Sequence, residues 1–230
     1  MSKNNRIKIV GTIEEMPRLV LDAPTFAKRV FETKIKAERR SGKTDTLILQ
    51  FAGTMIPEED FNNMQIGTFV RVAGEIRTEN EREIVATKPS VKIFIAANKI
   101  AVIDPTDEKK NSVKLRGRIC KDPRIRETPR GKHVADLMVV TSGRTGANFI
   151  PCICWEEIAD AAVDFKKGMY VEIEGRMQSR DYRRQIEGST PYLMTAYEVS
   201  ITQIGIDLEE TEETMQPAGE DADAPTLLEA

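Results

Sequence analysis

Hydrophobic and polar residues alternate along several stretches of the chain, the period-two signature of strands with one buried face. Val113, Leu115, Gly117 and Ile119 fall on one side, and Lys114, Arg116 and Arg118 on the other. The same period predicts strands at 134–141, 148–155, 169–180 and 192–204, the last two joined by a hairpin. A short helix is expected over 156–167. Glu156 and Glu157 open it, Lys166 and Lys167 close it and Gly168 stops it, each favourable for the helix dipole or the C-terminal cap.

The pattern occurs twice. Residues 67–78 read Gly-Thr-Phe-Val-Arg-Val-Ala-Gly-Glu-Ile-Arg-Thr, and residues 168–179 read Gly-Met-Tyr-Val-Glu-Ile-Glu-Gly-Arg-Met-Gln-Ser. Both follow Gly-x-aromatic-Val-charged-β-branched-x-Gly-charged-apolar-x-hydroxyl. A second block agrees, with Ile7-Lys-Ile-Val-Gly11 set against Val113-Lys-Leu-Arg-Gly117. Two collinear blocks imply two domains, over 1–105 and 106–205, joined at 104–110 (Asp-Pro-Thr-Asp-Glu-Lys-Lys). Three strands, a helix and two strands in such a span describe an all-β chain of two tandem five-stranded Greek-key OB-fold barrels, each with a short helix. An immunoglobulin-like sandwich would need about seven strands and no helix there. Gly11, Gly74, Gly117 and Gly175 sit mid-strand, where small barrels bend sharply.

Charge changes the picture only when it is divided. The 230 residues hold 34 Lys and Arg against 37 Asp and Glu, a net −3 that argues against an anionic partner. From Ile206 onward, however, there are nine acids and no base, with Pro217, Gly219, Pro225 and no hydrophobic period. Residues 206–230 are therefore expected to form a disordered acidic tail. It is either a solubilising extension or an interaction arm and competitor for the body's cationic site. Each repeat carries 17 basic and 14 acidic residues, so the body is basic. No run of about 18 apolar residues suggests a membrane span. The polar, basic start after Met1 and the three cysteines (Cys120, Cys152, Cys154) fit a cytoplasmic protein without a disulfide framework.

Enzymatic motifs are weak. Ser41-Gly-Lys-Thr44 matches the end of a phosphate-binding loop, but Ala37 stands where its first glycine belongs. Cys152 and Cys154 alternate into a core and lack zinc spacing. With a single His and no paired nucleophile and base, no catalytic residue, cofactor or metal is expected.

Four segments of the second repeat carry a family resemblance. They are Val113-Lys-Leu-Arg-Gly-Arg-Ile-Cys-Lys-Asp-Pro-Arg124, Thr128-Pro-Arg-Gly-Lys-His-Val-Ala135, Asn148-Phe-Ile-Pro-Cys-Ile-Cys-Trp155 and Lys166-Lys-Gly168 with Glu174-Gly-Arg-Met-Gln-Ser-Arg-Asp-Tyr182. In this order they resemble the bacterial single-stranded DNA-binding protein family, while the first repeat shares the pattern loosely. The resemblance implies a non-enzymatic protein that coats single-stranded DNA in replication, repair and recombination, at the nucleoid. It implies four OB folds in the assembly, hence a homodimer here. It also implies an acidic tail that docks replication and repair proteins. Where the family's tail ends in an aromatic, this chain has Leu227 and Leu228. The alternative is an OB-fold adaptor, primosome-like, acting through protein–protein contacts.

Such a binder needs cations to follow phosphates and aromatic faces on which bases stack. By motif position the stacking rings are Phe149, Trp155 and Tyr182. A further family aromatic has no counterpart, because 142–146 holds no ring. The alternation predicts Phe149, Pro151, Ile153 and Trp155 outward, with Ile150, Cys152 and Cys154 inward. Phosphate contacts are expected from Lys114, Arg116 and Arg118 on the first strand and from Lys121, Arg124, Arg126, Lys132 and Arg144 in the following loops. Arg176, Arg180, Arg183 and Arg184 are expected at the hairpin tip. In the first repeat only Phe51 is expected to stand for Trp155, with a basic loop (Lys34, Lys36, Arg39, Arg40, Lys43) nearby. That repeat either binds DNA or serves assembly.

Overall fold

The computed structural model describes residues 4–81, 90–128, 131–143, 146–184 and 192–207. Arg144, Leu227, Leu228 and the tail from residue 208 on lie outside the described residues, as does the side chain of Arg184. The first half contains β1 (Asn5–Ile13), β2 (Arg18–Leu21), β3 (Val30–Glu38), β4 (Thr44–Ala52), α1 (Glu58–Asn62), β5 (Phe69–Glu81) and β6 (Ser90–Val102). The second contains β7 (Asn111–Ile119), β8 (Arg124–Glu127), β9 (His133–Gly143), β10 (Gly146–Trp155), α2 (Glu157–Ala161), β11 (Tyr170–Arg184) and β12 (Tyr192–Asp207).

β1 pairs antiparallel with β3 and β5, β3 with β4, and β5 with β6, while β4 meets β6 in parallel and closes the barrel. β7, β9, β10, β12 and β11 repeat this closure. The chain is thus two tandem OB folds, as the alternation implied. Its inward positions, such as Ile7, Ile9, Leu47 and Leu49 in barrel one and Val113, Leu115, Ile150 and Cys152 in barrel two, form one buried apolar cluster. The repeated glycines mark close strand contacts. A Cβ on Gly11 would lie 2.4 Å from the Lys36 carbonyl oxygen, and one on its counterpart Gly117 would lie 2.4 Å from that of Val140.

Three details depart from the sequence pattern. β2 and β8 are edge strands exposed at all four residues, so no buried face gives them a period. The helix after β10 is shorter than 156–167. It tightens after Ala161 into a 3-10 turn over Ala162–Asp164, and Phe165 drops into the core. β12 runs through Asp207, two residues into the expected tail.

The barrels are joined by a strand pair with two-fold character. β1 runs antiparallel to β7 with Ile7 opposite Val113, its own counterpart, and with Asn5 opposite Leu115 and Ile9 opposite Asn111. Each barrel also inserts a hydroxyl into the other. The Ser179 N–H donates to Asp45 Oδ1 at 2.8 Å, while the Thr46 N–H donates to Ser179 Oγ at 3.0 Å. Reciprocally, the Thr78 N–H donates to Asn148 Oδ1 at 3.1 Å, and the Phe149 N–H donates to Thr78 Oγ1 at 3.0 Å. Thr78 and Ser179 are the hydroxyl that ends the repeat motif. Self-complementary contact of this kind is the geometry of a symmetric dimer written into one chain.

Candidate nucleic-acid interface

β10 alternates as expected. Asn148, Ile150, Cys152 and Cys154 are buried, while Phe149 is 49% exposed and Pro151 and Trp155 are half-buried. Ile153 also points outward but is buried, set beside Asp136 of β9 and Ser200 of β12. Burial pushes the Cys152 thiol up, and that of Cys154 to about 12, so both are packing groups.

Strand register assembles the rest of this outer face. Phe149 lies opposite Val140, Pro151 opposite Met138 and Trp155 opposite Val134. β8 adds Arg124 opposite Asp136 and Arg126 opposite Val134. From β11, Arg176 stands opposite Ser200, Gln178 opposite Glu198, Arg180 opposite Ala196 and Tyr182 opposite Met194. Arg118 extends the face through Val140. The three rings therefore share one curved surface with Arg118, Arg124, Arg126 and Arg180. The Arg180 guanidinium lies 5.7 Å from the centre of the Tyr182 ring, a cation–π arrangement.

The cations differ in how free they are. Arg118, Lys121, Arg124 and Arg183 are exposed. Arg126 is bidentate to Asp136 and Lys132 holds Glu156 at 2.9 Å, while Arg180 stands 3.8 Å from Glu198. The bond to Asp136 raises the Arg126 pKa, and the bond from Lys132 lowers that of Glu156. Lys114 is paired to Glu174, and Arg116 to Asp207 and Glu172, so β11 and β12 answer that strand's basic face with acids.

Three site expectations need correction. Arg124 and Arg126 belong to a strand, β8, and not to a loop, because β9 offers that segment a free edge. Arg176 is not at the hairpin tip: it is half-buried at the joint between barrels, 3.9 Å from Asp45. Phe51 is 2% exposed in the core of barrel one, its ring centroid 5.7 Å from Phe31 and 6.2 Å from Phe61. The inward residues of the parallel pairings, Leu49 with Ile95 and Cys152 with Val199, are counterparts. Phe51 therefore matches Cys154, and the outward counterpart of Trp155 is Ala52. A shift of one residue along a strand exchanges the faces.

The outward positions of β4 in barrel one, Thr46, Ile48, Gln50 and Ala52, hold no ring, and Phe94, outward on the neighbouring β6 beneath Lys92, is only 2% exposed. Polar bonds occupy this face. Glu32, 8% exposed, accepts from Gln50 at 2.7 Å and is paired with both Arg18 and Lys92. Burial alone would raise the Glu32 carboxyl, but these three donors outweigh it and hold its pKa below the usual range. In the basic loop region Lys34 is held by Glu15 at 2.7 Å and Arg39 by Asp45. Sequence reasoning missed this joint chemistry. The one visible signal was the hydroxyl shared by Thr78 and Ser179.

Two closed five-stranded barrels, the second with rings and arginines on one outer face, define an OB-fold protein. The sequence profile of the Single-strand binding protein family matches residues 110–206, the second barrel. Single-stranded DNA-binding protein A of Bacillus subtilis (strain 168) is 39% identical over 83 residues, covering 33% of this chain and 48% of that protein. The single-stranded DNA-binding protein of Oceanobacillus iheyensis is 35% identical over 91 residues, 36% of this chain and 56% of its own. The chain thus spans about half the length of the relatives it matches. The wild-type single-stranded DNA binding protein from Thermus aquaticus superposes with a TM-score of 0.69 at 18% identity, covering 96% of each chain. At that identity the likeness extends the fold to both barrels.

Proposed function

We propose that the chain binds single-stranded DNA without sequence preference, and that it coats exposed strands during replication, repair and recombination. The observation that carries this reading is the outward set of Phe149, Trp155 and Tyr182 on one face of barrel two, ringed by arginines. An exposed Phe has no role in a core, whereas stacked bases gain about 1–3 kcal/mol each on such rings. The names of the Bacillus and Oceanobacillus relatives support it. Binding is by association without turnover. Arg118, Lys121, Arg124 and Arg183 follow the phosphates, with Arg126, Lys132 and Arg180 exchanging their carboxylates for phosphate. Lys114 and Arg116, already neutralised, contribute least.

Barrel one, with no ring on the strand that matches β10 and with Phe94 of the neighbouring strand covered, serves chiefly assembly and electrostatic contact. Two copies pair to give four OB folds, which a solution mass of twice the chain would report. The acidic tail offers Leu227 and Leu228 to replication and repair partners. The protein works in the cytoplasm at the nucleoid. Among the described residues no helix is long and apolar enough to cross a membrane.

The chain's single Trp supplies the test. Oligo-dT should quench Trp155 fluorescence, and log K should fall linearly with log salt at about −0.7 per phosphate contact. Absence of both quenching and binding at low salt would overturn the reading in favour of a protein–protein adaptor.

A further inference from the structure

Asp45 is fully buried and meets two guanidiniums. Arg39 binds it bidentately, with its Nε 2.7 Å from Oδ2, and Arg176 approaches to 3.9 Å. The acids acting on these two charges are Asp45 and, further off, Glu198, which Arg180 also approaches. Arg176 Nη1 is buried and has no hydrogen-bond partner among the described residues, although Nη2 reaches Ser200 Oγ at 3.5 Å. A groove of about 510 Å³ opens beside it, with Arg39, Arg40, Lys109 and Lys110 along its wall. Its two acids are already engaged: Glu38 holds Lys109 and Glu174 holds Lys114. Arg40 and Lys110 are exposed, with no carboxylate partner among the described residues.

The joint's two-fold character makes this charge informative. At the opposite end Glu75 stands where Arg176 does here, and Asn148 stands where Asp45 does. The two ends share backbone geometry but not charge. The basic end is also continuous with the aromatic face, because Arg176, Arg180 and Tyr182 lie along the same side of β11.

We infer that this groove is a phosphate site for the backbone of a single strand passing from the aromatic face of barrel two across the joint toward barrel one, with Arg40, Lys110 and Arg176 as its donors. Guanidinium and ammonium groups without a dedicated carboxylate suit phosphate, which the fork of Arg binds bidentately. Burial, and then Arg39, depress the Arg176 pKa against the pull of Asp45 and Glu198, and an arriving anion favours the charged guanidinium. Barrel one thereby joins the binding path through its loop after β3 without presenting a ring.

The inference rests on the single-strand-binding reading, and the experiment separates the two. Arg176→Gln would disturb the joint itself, so the test uses the full chain with the exposed pair Arg40→Gln and Lys110→Gln combined. Two probes are titrated across a salt series: oligo-dT of about 8 nucleotides, within one OB fold's site, and of about 35, longer than two such sites. The expected result is a salt slope for the long probe that is shallower by about 1.4, from two lost contacts, and an unchanged slope for the short one. An unchanged slope for the long probe, or an equal change for both probes, would overturn the inference. Failure of the unaltered protein to bind either probe would instead remove the underlying reading.

Discussion

Barrel one clusters four of its rings on the inner side: Phe26, Phe31, Phe51 and Phe61 pack at centroid distances of 4.5–6.2 Å. Barrel two, built on the same strand order, sets Phe149, Trp155 and Tyr182 outside and fills its core with Ile, Val, Leu and Cys together with Phe165. Where barrel two offers Trp155 and Ile153, barrel one has Ala52 and a Gln50 bonded to a buried, doubly paired Glu32. A barrel wall has two faces, and the fold is indifferent to which of them carries aromatics. Function follows from the outer one, so a shared fold does not imply a shared site.

The largest expected effect divides the two kinds of ring. Phe51→Ala should cost about 3–5 kcal/mol of stability through the cavity it leaves, a fall in Tm on the order of 10 °C. Phe149→Ala should leave the melt close to that of the unaltered protein, yet weaken oligo-dT binding by roughly 5- to 100-fold, the loss of one stacked base. Thermal melts and titrations of both variants check the pair. Equal losses of Tm would erase the distinction between the faces.

That pair also shows where the sequence was legible. The second barrel's strand order, the inward Cys152 and Cys154 and the outward Phe149 could be read because half-buried strands alternate. Phe51 misled because its strand, Leu47-Ile-Leu-Gln-Phe51, begins with three apolar residues, and alternation cannot say which of them faces in. Ile48 is only half-buried on the outer side. β2 and β8 left no trace because every one of their residues is exposed. Arg176 is far in sequence from Arg39 and Asp45 and meets them only because β1 and β7 pair, so no local pattern could place it at the joint. The same distance hid the pairing of Arg116 with Asp207, at the end of a strand that the acidic composition had assigned to a tail.

A smaller effect tests how alike the two barrels are where they meet. Thr78→Val removes the acceptor for the Phe149 N–H, and Ser179→Ala removes the acceptor for the Thr46 N–H. Each should cost about 0.5–1.5 kcal/mol, the net worth of one hydrogen bond, since the Phe149 bond is exposed and the Thr46 bond part-buried. The losses should match each other within the scatter of denaturant midpoints. A cost confined to one variant would mean that the joint's two-fold character is geometric only and that one barrel bears the contact. Ser179→Thr should restore the bond, since Thr78 makes it in the other barrel.

The smallest effect belongs to barrel two alone, because the chain has a single His. His133 opens β9 beside the aromatic face. Its carbonyl accepts the Glu156 N–H at 2.9 Å, and its Nδ1 lies 2.9 Å from Asp160 Oδ1. The bond to Asp160 raises its pKa above the ordinary 6.5, with the charges of Asp160, Glu127 and Glu156 acting in the same direction. The sign follows from which form the fold prefers. The protonated ring is stabilised, so its contribution is complete below pH 6.5 and is lost as pH rises through the raised value. The pair is open to solvent and screened, which keeps the contribution small. An NMR titration of the one imidazole measures it directly. Asp160→Asn should bring the midpoint down toward 6.5, while the barrel-one resonances stay fixed across the same pH range. A midpoint indifferent to that substitution would show that the bond to Asp160 is not what tunes His133.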